Sequence, residues 1–240
     1  MPVNEGTTEL ARPIFVIGSL RSGASLLTCA LGQHPHLDPV LAMDWLEPLT
    51  IGLQRSFAAG VQPRATSQLD VAGVEIEEFF AHFGEAINRL VLGGPEVNAS
   101  YLDDDGQDEE LPVLRRPLRA GRWVDGTPAH SFNVFALHRL FPAAQFIHVL
   151  RDPQGVIESL TNPENRRFYR SQHLEYTEEA AAQHWLQAVR ACVDAERALG
   201  SGTVLRLRHD ELVAAPEAAL RRCLAFLGEP FDPACLRPYR

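Results

Sequence analysis

An α/β fold with a mainly parallel central sheet flanked by helices is predicted by three observations. Strand-like and helix-like segments alternate along the whole 240-residue chain, the pattern that builds parallel sheets. The strands, "PIFVIG" and "AQFIHVL" above all, are continuous apolar runs of the kind buried on both faces. The first strand also runs straight into a glycine-framed turn and a helix, the outline of a phosphate-binding loop.

The elements follow in order. Ile14 to Gly18 form the first strand and Ser22 to Gly32 the helix after it, and "HPHLDPV" reads as a turn. A helix is expected from Asp44 through "DWLEPLTIGLQRSF", with Asp44 as N-cap and Glu47 three residues on. In "VEIEEFFAHFGEAINRLVLGG" the apolar positions Ile76, Phe79, Phe80, Phe83, Ile87, Leu90 and Val91 recur at helical spacing, ended by Gly93 and Gly94. Residues 98–122 carry an acidic and then a basic block without sustained periodicity, as in a solvated loop or a lid. "WVDGTP" is a short strand and turn, followed by a helix in "HSFNVFALHRLF". The "AQFIHVLRD" strand leads to a helix from Pro153 through Leu160. The longest helix lies in "TEEAAAQHWLQAVRACVDAERALG", capped by Thr177 and ended at Gly200. A strand "TVLRLRH" and a helix "PEAALRRCLAFLG", with proline first and glycine last, complete the chain. One domain spanning residues 1–240 is expected, with residues 1–12 flexible and no internal repeat.

Composition narrows the function. A net charge of -9 argues against nucleic acid as a partner. All 22 basic residues are arginine, so each fixed cationic contact comes from a guanidinium, suited to bidentate oxyanion recognition. Cys29, Cys192, Cys223 and Cys235 form no C-x-x-C pair and read as buried thiols of a reducing compartment. The polar start "MPVNEGTTEL" is unlike a signal peptide, and no apolar run is long enough for membrane insertion, so a cytoplasmic protein is expected.

In "GSLRSGAS", Gly18 and Gly23 are spaced as in the phosphate loop of P-loop nucleotide hydrolases, which makes the expected fold P-loop NTPase-like. Ser25 holds the hydroxyl position, but Ala24 stands where the lysine for β- and γ-phosphates belongs. With its cation at Arg21 instead, the loop suits a nucleotide bearing a single 5′ phosphate and a reactive group. An ordinary strand-to-helix turn would also place glycine here.

"FVIGSLRSGASLLTCALGQHP" resembles the 5′-phosphosulfate loop of sulfotransferases that use 3′-phosphoadenosine 5′-phosphosulfate (PAPS). "FIHVLRDPQGVIESL" resembles their 3′-phosphate segment, and "RWVDGTPAHS" and "VLRLRHDELVAAPEAALRRCLAFLG" resemble further family segments. The resemblance implies a cofactor site of Arg21, Ser22, Gly23, Ala24 and Ser25 around the 5′ phosphosulfate, with Arg151 and Ser159 on the 3′ phosphate. It implies PAPS as co-substrate without a metal, a small-molecule hydroxyl or amine as acceptor, and adenosine 3′,5′-bisphosphate as product, with positioning and charge stabilisation dominating the transfer. Leu20 stands where the family usually has proline, and Ala24 replaces a common threonine.

Arg21 is the candidate to stabilise charge on the leaving oxygen. A glutamate commonly follows the "HP" turn in the family, where this chain has Ala42 or Met43, so Asp44 and Glu47 are the first candidates for the base. An i,i+3 spacing puts both on one helix face, and it is equally the spacing of a capping pair. His34, His36 and Asp125 are further base candidates, with structural roles open for each. Trp45, Phe57 and Phe80 could line an acceptor pocket or belong to the core, and residues 165–170, "NRRFYR", could meet an anion or solvent. The alternatives are a degenerate protein that binds PAPS or its product without turnover, and a P-loop metabolite kinase. Oligomeric state is open, a homodimer included.

Overall fold

The computed structural model describes residues 12–40, 42–61, 67–93, 122–162 and 176–239. All of the expected loop at 98–122 except Arg122, and the arginine cluster at 165–170, lie outside these residues. Five strands form one sheet: β1 (Ile14–Ile17), β2 (Asp38–Pro39), β3 (Trp123–Asp125), β4 (Gln145–Leu150) and β5 (Val204–Arg208). Their order is β2-β3-β1-β4-β5 and each pair is parallel.

The sheet faces are set by alternation along β1. Ile14 and Val16 point into a core completed by α1 (Ala24–Leu31) and α9 (Pro216–Leu227). Phe15 and Ile17 point the other way, into a core completed by α2 (Leu46–Gly60), α4 (Ile76–Leu92), α5 (Val134–Leu140) and α7 (Glu178–Leu199). All four β1 residues are fully buried, as a central strand covered by helices on both faces requires. Phe15 anchors the second core by meeting Trp123 edge-on and Phe146 in a stack, each ring centre 5.3 Å away.

The helix ends follow local chemistry. Thr177 caps α7 by accepting from the Ala180 N–H, and Gly228 ends α9 in the left-handed conformation. Asp152 caps α6 (Pro153–Thr161) through the Gly155 N–H, with proline in the first helical position. Two local readings need correction, and a short helix, α3 (Gln68–Ala72), capped by Ser67, adds an element the sequence did not announce. The "HPHLDPV" turn contains the edge strand β2, recruited by pairing with β3. Helix α2 begins at Leu46 after Trp45, so Asp44 is outside it and does not cap it. Among the described residues no helix is long and apolar enough to cross a membrane.

Candidate active site

In a parallel sheet every strand presents its carboxyl end at the same edge, where α/β sheets hold ligands. Here that edge brings together the loop after β1, Asp125 at the end of β3, Arg151 directly after β4 and His209 directly after β5. His209 opens the short helix α8 (His209–Ala214).

The loop is built for close backbone approach. Gly18 has φ 154°, and a Cβ there would lie 2.5 Å from the Val149 carbonyl oxygen, which no side chain tolerates. Gly23 has φ 97°, and its face is covered by the His209 ring, 2.7 Å from where a Cβ would stand. Between them Arg21 takes φ 63°, left-handed and unusual for a residue with a side chain. The Ser22 N–H closes the turn onto the Ser19 carbonyl at 3.1 Å. Ser131 fixes the loop from below, accepting from the Gly18 N–H at 2.8 Å and donating to the Gly18 carbonyl at 2.7 Å.

The loop fits an oxyanion on two observations. The Ser19 and Ser22 hydroxyls are buried and, among the described residues, have no hydrogen-bond partner. A buried hydroxyl costs free energy unless something satisfies it. Above them α1 opens at Ala24, and the N–H groups of its first turn have no intrahelical acceptor. The helix dipole adds positive potential at the same point. Ala24 is buried and Ser25 is exposed.

The expected cationic residues converge here. Arg21 Nε donates to Ser159 Oγ at 2.9 Å, although the two are 138 residues apart. Arg151 Nη1 donates to the Arg21 carbonyl at 2.8 Å, and the Arg151 carbonyl accepts from Trp185 Nε1 at 3.0 Å. Ser159, on α6, therefore meets Arg21 of the loop. The Arg151 guanidinium thus reaches the backbone of the residue whose own guanidinium meets Ser159.

The base candidates separate. Asp125 is paired at the level of Phe15, two residues short of the end of β1, so it is recessed and 1% exposed. Its Oδ1 accepts from the Thr127 N–H at 2.8 Å and the Thr127 hydroxyl at 2.5 Å, and its Oδ2 pairs with His130 Nε2 at 2.6 Å. Its carboxylate closes a turn onto the Thr127 N–H and supports the wall beneath the loop. Thr127 Oγ1 also accepts from the Met43 N–H at 2.8 Å, which ties the start of α2 to this wall. Asp44, next in sequence, is exposed and Glu47 half-buried. Because Asp44 precedes the helix, the two do not share a helix face.

His34 and His36 lie at the opposite edge, before β2. His34 Nδ1 accepts from the His36 N–H at 3.2 Å and its Nε2 pairs with the Pro230 carbonyl at 2.9 Å. His36 pairs with Glu229, which also binds Arg122. The three side chains His34, His36 and Glu229 bring ligand atoms within 4.8 Å of one another. Two of those atoms, His36 Nδ1 and Glu229 Oε2, are paired with each other at 2.9 Å. Phe80 is fully buried in the core, Phe57 packs on Phe79 with centres 5.4 Å apart, and Trp45 is 42% exposed.

His209 and His184 are site residues that sequence reasoning missed. Burial first, and then the Arg151 guanidinium, hold the His209 imidazole below the ordinary histidine range. Its position one residue past a parallel strand was the available signal. His184, in the middle of α7, carries no such signal, yet its Nε2 lies 3.4 Å from the Leu20 N–H.

The sulfotransferase family profile matches residues 13–233. The omega-hydroxy-beta-dihydromenaquinone-9 sulfotransferase Stf3 of Mycobacterium bovis is 28% identical over 90% of this chain, which spans 62% of that relative's length. Among solved structures, the sulfotransferase domain of the Synechococcus PCC 7002 olefin synthase superposes with a TM-score of 0.59 at 23% identity, covering 100% of this chain and 82% of that one. The sulfotransferase domain from the curacin biosynthetic pathway gives 0.57 at 23% identity, covering 96% and 78%. With the profile running over nearly all the described strands and helices, the chain belongs to the sulfotransferase family.

Proposed function

We propose that this protein transfers a sulfuryl group from PAPS to a hydroxyl or amine of a small-molecule acceptor and releases adenosine 3′,5′-bisphosphate. The observation that carries the reading is the convergence of Arg21, Ser159 and Arg151 on a loop whose two buried hydroxyls have no partner among the described residues. PAPS supplies an activated sulfuryl group on a phosphate leaving group. The loop amides with Ser19 and Ser22 would hold the 5′ end, while Arg151 and Ser159 would hold the 3′ phosphate. Arg21 would stabilise charge on the leaving oxygen. The nucleotide site we assign is of the P-loop NTPase-like kind, in one domain, and the reading calls for no metal.

Asp44 and Glu47 are our candidates for accepting the acceptor's proton, since Met43 ties their segment to the site wall. Asp44→Asn or Glu47→Gln at the true base lowers kcat by about a hundredfold or more while nucleotide affinity holds. We place the protein in the cytoplasm and in secondary metabolism, and a homodimer is compatible with the reading.

The test is calorimetry with adenosine 3′,5′-bisphosphate against magnesium-ATP, followed by a radiolabelled-sulfate screen of phenols, sugars, lipids and peptides. Binding of the bisphosphate alone, with turnover abolished by Arg21→Ala, is the expected result; absence of bisphosphate binding overturns it. A non-catalytic nucleotide-binding protein is the second reading, favoured by the full engagement of Asp125 inside the wall. Binding without turnover of any acceptor would select it.

A further inference from the structure

The turn that carries Arg21 is not self-sufficient. Ser19, Leu20, Arg21 and Ser22 form a hydrogen-bonded β-turn whose third residue is left-handed. Turns of that type draw their stability from glycine or asparagine at the third position and from proline at the second. This chain has arginine and leucine there. A left-handed residue with a side chain costs about 1–2 kcal/mol, and leucine supplies no preset φ. Leucine does supply an N–H, which proline lacks, and that N–H points at His184 Nε2 from 164 residues away.

We infer that His184 is a positioning residue of this loop: its unprotonated Nε2 accepts the Leu20 N–H and holds the turn that presents Arg21. Its role as part of a nucleotide site rests on the sulfotransferase reading above. The imidazole is itself held between two rings, Phe132 with centres 6.0 Å apart and Tyr176 at 5.9 Å, both edge-on. Leu20 is packed with Val156, Leu160 and Ala181 on the same side, so loop and helix are joined by contact as well as by the hydrogen bond.

The contact works only while Nε2 is a lone-pair acceptor. Protonation would set an N–H against an N–H. Burial keeps the imidazole below the ordinary histidine value, so the acceptor form holds at neutral pH. Among the described residues, the charged side chains of the loop and of the segment from Arg151 through α6 have partners of their own. Arg21 is on Ser159, Asp152 caps α6, Glu158 accepts from Gln154, and Arg151 is on the Arg21 carbonyl. Burial pushes the Tyr176 phenol up, away from this range. On α7 itself the residues a turn away from His184 are Ala180, Ala181, Gln187 and Ala188.

The first test uses the free protein. In 15N-resolved spectra the Leu20 amide shift follows the His184 imidazole titration with one midpoint below about pH 6.5, and His184→Phe, which keeps the ring contacts, abolishes that titration. A Leu20 amide blind to His184 overturns the inference whatever the nucleotide result. The second test measures adenosine 3′,5′-bisphosphate affinity from about pH 7.5 to about pH 5. At 3.4 Å the bond is long, so its loss weakens binding by about two- to fivefold. His209 titrates on the other side of the loop, and its protonation strengthens anion binding, the opposite sign. Leu20→Pro removes the donor: in that background His184→Phe no longer changes affinity, and His184→Gln restores an acceptor that is indifferent to pH in the native loop. Equal loss from His184→Phe in both backgrounds overturns the inference and makes His184 a ligand contact. If the bisphosphate binds none of these proteins, the sulfotransferase reading fails while the amide titration still decides the role of His184.

Discussion

Replacing Asp125 by alanine tests whether the wall beneath the loop is as tightly built as its geometry indicates. The carboxylate is 1% exposed and satisfies three donors: the Thr127 N–H, the Thr127 hydroxyl and His130 Nε2. Alanine leaves the Thr127 amide and the imidazole buried without an acceptor, at about 1–3 kcal/mol each. The Thr127 hydroxyl can rotate, because it also accepts from the Met43 N–H. The sum is about 2–6 kcal/mol, a range that contains the roughly 3–5 kcal/mol usual for removing one member of a buried pair. Asparagine is the informative control. Its oxygen can still serve the Thr127 amide, but its NH2 would face His130 Nε2 and drive the ring proton to Nδ1, which is buried with no partner among the described residues. That single orphan predicts about 1–3 kcal/mol. Urea unfolding at neutral pH measures both. A loss below about 1 kcal/mol for Asp125→Ala would refute the reasoning, since a carboxylate that can be deleted so cheaply is not satisfying those donors in the native state.

Three other outcomes are expected. Gly18→Ala sets a Cβ against the Val149 carbonyl at 2.5 Å on a strained backbone, so it costs at least about 2 kcal/mol in thermal unfolding and weakens bisphosphate binding. Glu196 is buried enough to raise its pKa, but hydrogen bonds from His148 and Arg206 outweigh burial and bring it down to about 2. A lowered carboxyl stabilises the fold fully above the ordinary glutamate range and loses that contribution as pH falls toward the lowered value. Glu196→Gln therefore narrows the stability gap to the native protein in acid, read by unfolding from neutral pH downward. Ser159→Ala removes the acceptor of Arg21 Nε at an exposed contact; stability stays within about 0.5 kcal/mol, while bisphosphate affinity falls about tenfold, the worth of one charge-assisted hydrogen bond.

Much of this molecule was legible in its sequence. The strand–helix alternation, the glycine-framed loop, the Thr177 cap and the Gly228 stop all express interactions among residues close along the chain, and such patterns survive in any tertiary setting. The convergence of Arg21 and Arg151 was also within reach, because parallel strands deliver their carboxyl ends to one edge.

Other features had no local signature. Asp44 read as a cap because serine-like residues before an apolar period usually are caps, yet the Met43 N–H is held by Thr127 and the helix starts later. The two-residue strand β2 exists only because β3 offers it hydrogen bonds. Asp125 became a buried support when register placed it level with Phe15, and His184 reached the loop from 164 residues away. The sequence by itself determined the kind of sheet, the loop and the cations beside it, through periodicity and turn chemistry that act within a few residues. Only the tertiary structure decided which acid is sealed in the wall and which histidines meet the loop, because register and packing join residues whose separation along the chain carries no trace of their contact.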